Sequence, residues 1–277
     1  MIEEQSILEL IGRRTSVRTY EPKPVEPDKL ERLKAFMDTV VNPFGAQVRF
    51  GLTESAAQKV GTYGFIRGAR TFLAGCVKKG GLDMEGFGYA FENVVLYATA
   101  LGLGTCWLGG TFKRSTFIER MRPEGEYLPA VSPIGYASER KSLAEKAVAA
   151  SAGARKRKRF GEVFFDGQAA KPLMLDDSPL KTCLEMVRIG PSASNKQPWR
   201  VIVKDGVCHF YALIDKRYAG NTMYGFTMQR IDLGIAACHF ELSARELNFP
   251  GGFVVGDPHL VSEEMEADGW RYGFSWR

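Results

Sequence analysis

What most constrains this chain is that it repeats itself. Displaced by about 150 residues, the stretch 28–40 falls on 178–190, and the match continues beyond the end of both stretches. The first copy predicts a helix with Leu30, Leu33 and Met37 turned inward. The second predicts one opened by Ser178 as N-cap and Pro179 at the first helical position, striped by Leu180, Cys183, Leu184 and Val187, and stopped at Gly190. Asn-Pro-Phe-Gly-Ala-Gln at 42–47 then lies over 192–197, Gln47 meeting Gln197. An apolar strand comes next at 48–53, and a hairpin at 201–204 and 207–213 turns on Asp205-Gly206. Further on, Phe87, Phe91, Val94, Ala98 and Leu101 match Met228, Ile231, Ile235, Cys238 and Leu242 in helical spacing, and each stripe leads to a Gly-Gly pair, 109–110 or 251–252. The prediction is two degenerate copies of one α+β unit, packed so that each buries a face it cannot cover alone. The halves are 1–166 and 167–277, with the boundary within 166–178.

The repeat accounts for an ordered, enzyme-sized chain of 277 residues, 45% hydrophobic and 25% charged. The net charge is +5, and the run Arg155, Lys156, Arg157, Lys158, Arg159 alone carries five positive charges. Basicity confined to one place suits a single bound anionic group better than a polyanion. Cysteines 76, 106, 183, 208 and 238 are odd in number and form no CxxC, as expected of reduced thiols. The opening Met-Ile-Glu-Glu-Gln lacks the features of a signal peptide, so a cytoplasmic location is expected. The uncharged stretch 93–112 has the length of a membrane span, but Gly102, Gly104, Gly109 and Gly110 favour a buried helix and then a tight turn. The Ala-, Ser-, Lys- and Glu-rich stretch 137–154 reads as a surface helix or loop without a functional role.

Four segments carry potential chemistry. An N-terminal helix with Ile7, Leu8, Leu10 and Ile11 can end at Gly12, and 13–20 then read as extended chain. In that conformation Arg14, Ser16 and Arg18 share one side, opposite Thr15 and Val17. Two guanidiniums about a hydroxyl form a phosphate clamp or, alternatively, a solvated basic edge. The same alternation groups Arg155, Arg157 and Arg159, whose other reading is a basic tail for nucleic acid. Gly-Leu-Gly-Thr-Cys-Trp-Leu-Gly-Gly at 102–110 fails the dinucleotide fingerprint at Trp107, leaving a turn open to a flat ligand or a core helix stop. Pro-Ser-Ala-Ser-Asn-Lys-Gln-Pro-Trp-Arg at 191–200 presents hydroxyls and amides from a helix end. His209, His239 and His259 lack ligand spacing, no metal site is predicted, and Cys106 reads as an inert thiol. A chain without acid–base machinery suits a cofactor that brings its own reactivity.

Taken together, Arg14-Thr15-Ser16-Val17-Arg18, the 102–110 turn, Arg157-Lys158-Arg159 and Pro191-Ser192-Ala193-Ser194-Asn195-Lys196-Gln197-Pro198-Trp199 resemble the FMN-dependent nitroreductase superfamily, in a duplicated single-chain form that stands for the family's dimer. The resemblance implies a nitroreductase-like α+β fold: two copies of a helix-flanked mixed or antiparallel sheet unit, packed as an internal pseudo-dimer. It places the FMN phosphate at Arg14, Ser16, Arg18, Arg157 and Arg159, with Thr15 among the cofactor-binding residues, and the flavin ring against Trp107, Leu108, Gly109 and Gly110. Pro191, Ser192, Ala193, Asn195 and Gln197 match the loop that a partner subunit would bring. Thr62, Tyr63 and Gly64 align loosely with a ring or ribitol contact.

The second half has no Arg-x-Ser-x-Arg clamp, and 42–47 lacks the Ser and Asn of the ring loop, so the mirror-image site is expected to be dead. The implied activity is a ping-pong oxidoreductase: hydride passes from NAD(P)H to flavin N5 and electrons then go to a nitroaromatic or quinone-like acceptor. No catalytic side chain is assigned. The alternatives are a deiodinase, dehydratase or flavin-cleaving enzyme of the same family, or a nucleic-acid-binding module using 155–159. The fused partner suggests a monomer, with a homodimer as the alternative. Its partners are small flat molecules, neither nucleic acid nor membrane.

Overall fold

The computed structural model describes residues 5–55, 59–139, 156–169, 171–215, 217–218 and 225–277. Arg155 and the stretch 140–154 lie outside the described residues. In chain order the elements are helices α1 (Ile7–Arg13) and α2 (Pro27–Thr39), strands β1 (Val48–Glu54) and β2 (Thr71–Lys78), helix α3 (Asp83–Ala100), strand β3 (Gly104–Thr105), helix α4 (Arg114–Met121), and strands β4 (Glu126–Tyr127) and β5 (Val131–Gly135). Next come a 3-10 turn at Phe160–Glu162, strand β6 (Phe164–Asp166), helix α5 (Pro179–Arg188) and a second 3-10 turn at Ala193–Asn195. The chain ends with β7 (Trp199–Lys204), β8 (Val207–Leu213), α6 (Met228–Glu246), β9 (Phe253–Val254), α7 (Glu263–Ala267) and β10 (Trp270–Trp276).

Local sequence explains several of these elements. The Ser178 hydroxyl accepts the Lys181 N–H at 3.2 Å, Pro179 comes directly after it, and Cys183, Leu184 and Val187 bury the stripe of α5. Gly190 succeeds the C-cap Ile189 without left-handed φ; a Cβ there would meet the Val187 carbonyl at 3.0 Å, so close approach rather than φ favours glycine. Helix α2 has no side-chain cap and fully buries only Leu33. Phe36, outside the expected stripe, stacks on Tyr97 with centroids 4.0 Å apart, and Leu30 and Met37 remain partly buried. Helix α1 runs through Gly12 to Arg13, one residue beyond the expected end.

Duplication is visible in strand order. The first sheet runs β1-β2-β5-β3 with β4 on β2, and the second runs β6-β7-β8-β10-β9, so β7-β8-β10-β9 repeats β1-β2-β5-β3. The first sheet is antiparallel throughout, whereas β6 pairs parallel with β7 and makes the second mixed. In the second copy β7 and β8 join through Asp205 (φ 50°) and Gly206 (φ 78°), as a two-residue hairpin requires; in the first, 55–70 separate the equivalent strands. The two Gly-Gly pairs are not equivalent after all: 109–110 come after β3, whereas 251–252 precede β9.

The chain divides into two compact units: 1–5, 13–83 and 90–155, and 6–12, 84–89 and 156–277. Residues 156–166 fall with the second unit because Phe164, Phe165 and Asp166 pair with Val201, Ile202 and Val203. Within that unit, Glu246 accepts the Ser6 hydroxyl at 2.6 Å and the Ile7 N–H, tying α1 to the end of α6. The uncharged stretch 93–112 resolves into the end of α3, a turn at Gly102 (φ 77°) and β3. Among the described residues no helix is long and apolar enough to cross a membrane. All five cysteines are buried free thiols, in no disulfide among the described residues, and burial pushes those of Cys183 and Cys208 up to about 12 and that of Cys76 up to about 11.

Candidate functional site

In the first unit, the segment after α1 is pinned on both sides by main-chain bonds. Val17 donates its N–H to Thr105 at 2.8 Å, Arg67 donates to the Arg18 carbonyl at 2.9 Å, and Ser138 donates to Thr19 at 3.0 Å. Val17 packs against the core cluster, and a Cβ on Gly104 would lie 2.8 Å from its side chain, so glycine there lets the segment close onto β3. Ser16 and Arg18 stay partly exposed. Among the described residues Arg18 makes a single long contact, 3.5 Å to the Ser16 carbonyl, which leaves most of its five donors for a ligand or solvent.

Arg14 is buried, with its Nε 3.7 Å from Oε1 of the fully buried Glu92 and no hydrogen-bond acceptor for that Nε–H among the described residues. The other Glu92 oxygen accepts the Trp107 indole N–H at 2.6 Å, and Phe91 packs on Trp107 with centroids 4.4 Å apart. One carboxylate on α3 thus links Arg14 to Trp107 within the glycine-rich turn. Leu108 pairs with Val131, and Arg114 donates to the carbonyls of Gly109 at 2.5 Å and Pro129 at 3.1 Å. A trans peptide with its carbonyl held this way points the Gly110 N–H to the opposite side. A cleft of about 500 Å³ opens beside Arg13, Arg14 and Thr15 and runs along 99–105. Tyr63 (φ 48°) and Gly64 (φ 79°) stand exposed on the 55–70 connection, while Thr62 is buried and donates to the Ile66 carbonyl at 3.4 Å.

In the second unit, Pro191 is buried and the loop after it is wound tightly. Ser194, Asn195 and Gln197 hold φ of 49°, 53° and 49°, a left-handed region costly for non-glycine residues and kept only where surroundings over-determine it. Ser192 supplies part of that restraint, its hydroxyl accepting the Gln197 N–H at 2.9 Å. The buried Arg200 guanidinium donates to the carbonyls of Gln197 at 3.0 Å and Trp199 at 2.7 Å. The Ala193 N–H donates to the buried Asp232 at 3.0 Å.

The two amides of the loop, Asn195 and Gln197, are already engaged. Asn195 Oδ1 accepts from Arg157 at 3.0 Å and its Nδ2 donates to the Lys156 carbonyl at 2.9 Å, while Gln197 Oε1 accepts the Lys158 N–H at 2.8 Å. Arg157 also donates to the Ile189 carbonyl at 3.2 Å, whereas Arg159 is exposed and bonded to Glu162. The basic segment is therefore docked on the loop within this unit rather than trailing as a free polycation.

Repeat residues 42–47 differ in kind. Asn42 folds on its own turn, accepting from the N–H groups of Phe44 and Ala46 and donating to the Ala46 carbonyl at 2.7 Å. None of the non-glycine residues there is left-handed.

Glu92, Arg114, Arg200 and Asp232 were not singled out from sequence. Two of them carried a signal: Asp232 stands between Ile231 and Leu233 and Glu92 follows Phe91, and an acid on such a face must find a partner when buried. Among the described residues no group of three or more His, Cys, Asp or Glu could hold a metal.

With this geometry established, comparison with known proteins is decisive at one level. A family model described as "Putative TM nitroreductase" matches residues 6–244. The chain belongs to this nitroreductase family. Among solved structures, this nitroreductase resembles a "putative nitroreductase" of Thermotoga maritima, with a TM-score of 0.63 at 19% identity over 99% of this chain and 94% of that one, a likeness of fold. A Desulfovibrio desulfuricans protein described as a nitroreductase in complex with FMN shares 22% identity at a TM-score of 0.40, over 52% of this chain and 95% of that one. An FMN-dependent nitroreductase of Clostridium difficile shares 20% identity at a TM-score of 0.40, over 48% and 88%. No curated protein matches the chain.

Proposed function

We propose that this nitroreductase is an FMN-dependent oxidoreductase that uses NAD(P)H as electron donor. The observation that carries the proposal is the pinned cationic segment: a buried arginine with an open Nε–H, a hydroxyl and a second arginine with spare donors, on backbone that cannot swing away. Such a set fits a dianionic phosphate ester. Each charge-assisted hydrogen bond contributes about 1.5–3 kcal/mol, so the phosphate end would carry much of the affinity. Arg14, Ser16 and Arg18 are assigned to the phosphate, with Arg157 and Arg159 as further cations and Thr15 as an adjoining cofactor contact. Residues 107–110 are assigned to the N5 side of the ring and Pro191, Ser192, Ala193, Asn195 and Gln197 to the ring loop. Tyr63 and Gly64 are assigned to a peripheral contact.

A flavin held by these residues would supply the redox chemistry, hydride transfer from NAD(P)H and then reduction of a nitroaromatic or quinone-like acceptor in ping-pong order. The protein's part is to grip the phosphate and to orient the ring with the 107–110 backbone and the wound loop. The docking of Arg157 onto Asn195 supports this use of the basic run over nucleic-acid binding.

Arg18→Ala is expected to weaken FMN binding roughly ten- to a hundredfold, the equivalent of one charge-assisted bond, and to yield nearly colourless protein after desalting. Asn42→Ala, which disturbs only a local turn, is expected to retain full flavin. Flavin content by absorbance checks both, and loss of flavin in the Asn42 variant would contradict a single site per chain. A monomer is expected by sedimentation, and turnover of NAD(P)H with a quinone tests the reaction class.

A further inference from the structure

Asp232 stands in the second turn of α6, between Ile231 and Leu233, and is buried with them. Its Oδ1 accepts the Ala193 N–H at 3.0 Å, and its Oδ2 has no hydrogen-bond partner among the described residues. Ala193 begins the turn whose next residues, Ser194 and Asn195, are left-handed, with Gln197 left-handed just beyond. At the far end of the loop Arg200 holds the Gln197 carbonyl, and within it Ser192 holds the Gln197 N–H. The front of the turn is held from outside the loop by Asp232.

An acid buried between Ile231 and Leu233 is costly, and a hydrophobic residue of similar volume would suit that position better unless the loop requires the acceptor. We propose that Asp232 is a positioning residue that holds the 191–197 loop in its ligand-binding shape through the Ala193 N–H. This rests on assigning that loop to the flavin ring.

The electrostatics fit an acceptor that works without full charge. Burial pushes the Asp232 carboxyl up to about 8, and the Ala193 N–H is the one group that draws it back. No charged side chain of α5, β7, β8 or the loop packed on α6 contributes to that shift; Arg230, two residues away on α6, is paired with Glu85 at 2.5 Å. At neutral pH the group is mainly a neutral acid whose carbonyl oxygen accepts the loop N–H, a role asparagine can reproduce.

The test is amide hydrogen exchange over 192–197 together with FMN titration by calorimetry, on the full chain. Asp232→Ala is expected to speed exchange in 192–197 at least tenfold with α5 unchanged, and to weaken FMN binding about tenfold or more. Asp232→Asn is expected to restore both to within about threefold of wild type. Ala193→Pro removes the donor instead of the acceptor at a first-turn position where proline is tolerated, and is expected to reproduce the alanine result even if Asp232→Ala does not fold. Unchanged loop exchange in Asp232→Ala and Ala193→Pro, or an asparagine variant as loose as the alanine one, would overturn the proposal. If wild-type protein takes up no FMN while the loop exchange shows the expected pattern, the flavin assignment fails and the positioning role stands.

Discussion

Glu92→Ala is expected to destabilise the protein by about 3–5 kcal/mol, the cost of leaving a buried charge without its partner. Glu92 is fully buried and Arg14 nearly so, 3.7 Å apart, and the same carboxylate accepts the Trp107 indole N–H at 2.6 Å. Deleting it strands a guanidinium and an indole donor together and leaves a void beside Phe91 and Trp107. Because neither charge is solvated, the screening that makes surface pairs nearly worthless does not apply. Glu92→Gln keeps an acceptor for Trp107 but not the charge opposite Arg14, and should fall between wild type and alanine. Urea unfolding midpoints check the order; a loss below about 1 kcal/mol for Glu92→Ala would show that Arg14 does not depend on this carboxylate.

Gly234→Ala is expected to cost about 3 kcal/mol or more. A Cβ on Gly234 would lie 2.0 Å from the Glu85 carbonyl oxygen, and one on Gly88 would lie 2.1 Å from that of Ile231. The obstacles are main chain, which cannot rotate aside, so the helical segments 84–89 and α6 would have to separate and the Arg230–Glu85 pair with them. Overpacking penalties of about 1–3 kcal/mol are usual where side chains can give, and here they cannot. Alanine's better helix propensity returns only about 1 kcal/mol. A thermal or denaturant melt reads the result, and a variant as stable as wild type would show that the helices can move apart freely.

The elements legible in the sequence are those whose signals are local. Ser178-Pro179 with the stripe through Val187 defines α5, and Asp205-Gly206 defines the β7–β8 hairpin with its register. The repeat, read from matching helices and loops, reappears as the same strand order in both sheets. What was not legible depends on partners distant in sequence. Strand β6 is three residues long and gains its identity by pairing with β7, which moves 156–166 into the second unit.

The clamp's connection to Trp107 runs through Glu92, which no motif marks. Asn195 and Gln197, considered with the loop alone, offered free amides, yet both are bonded to the 156–158 backbone or to Arg157. The left-handed Ser194, Asn195 and Gln197 carry no glycine to announce them; tertiary ties hold them there.

The most direct measurement is the stoichiometry of FMN uptake by the flavin-stripped full chain, by calorimetry with the visible spectrum of the product. One FMN per chain, bound as a yellow complex and weakened by Arg18→Ala, is the expected result. A protein that stays colourless and releases no binding heat with FMN would contradict the proposed function at its root.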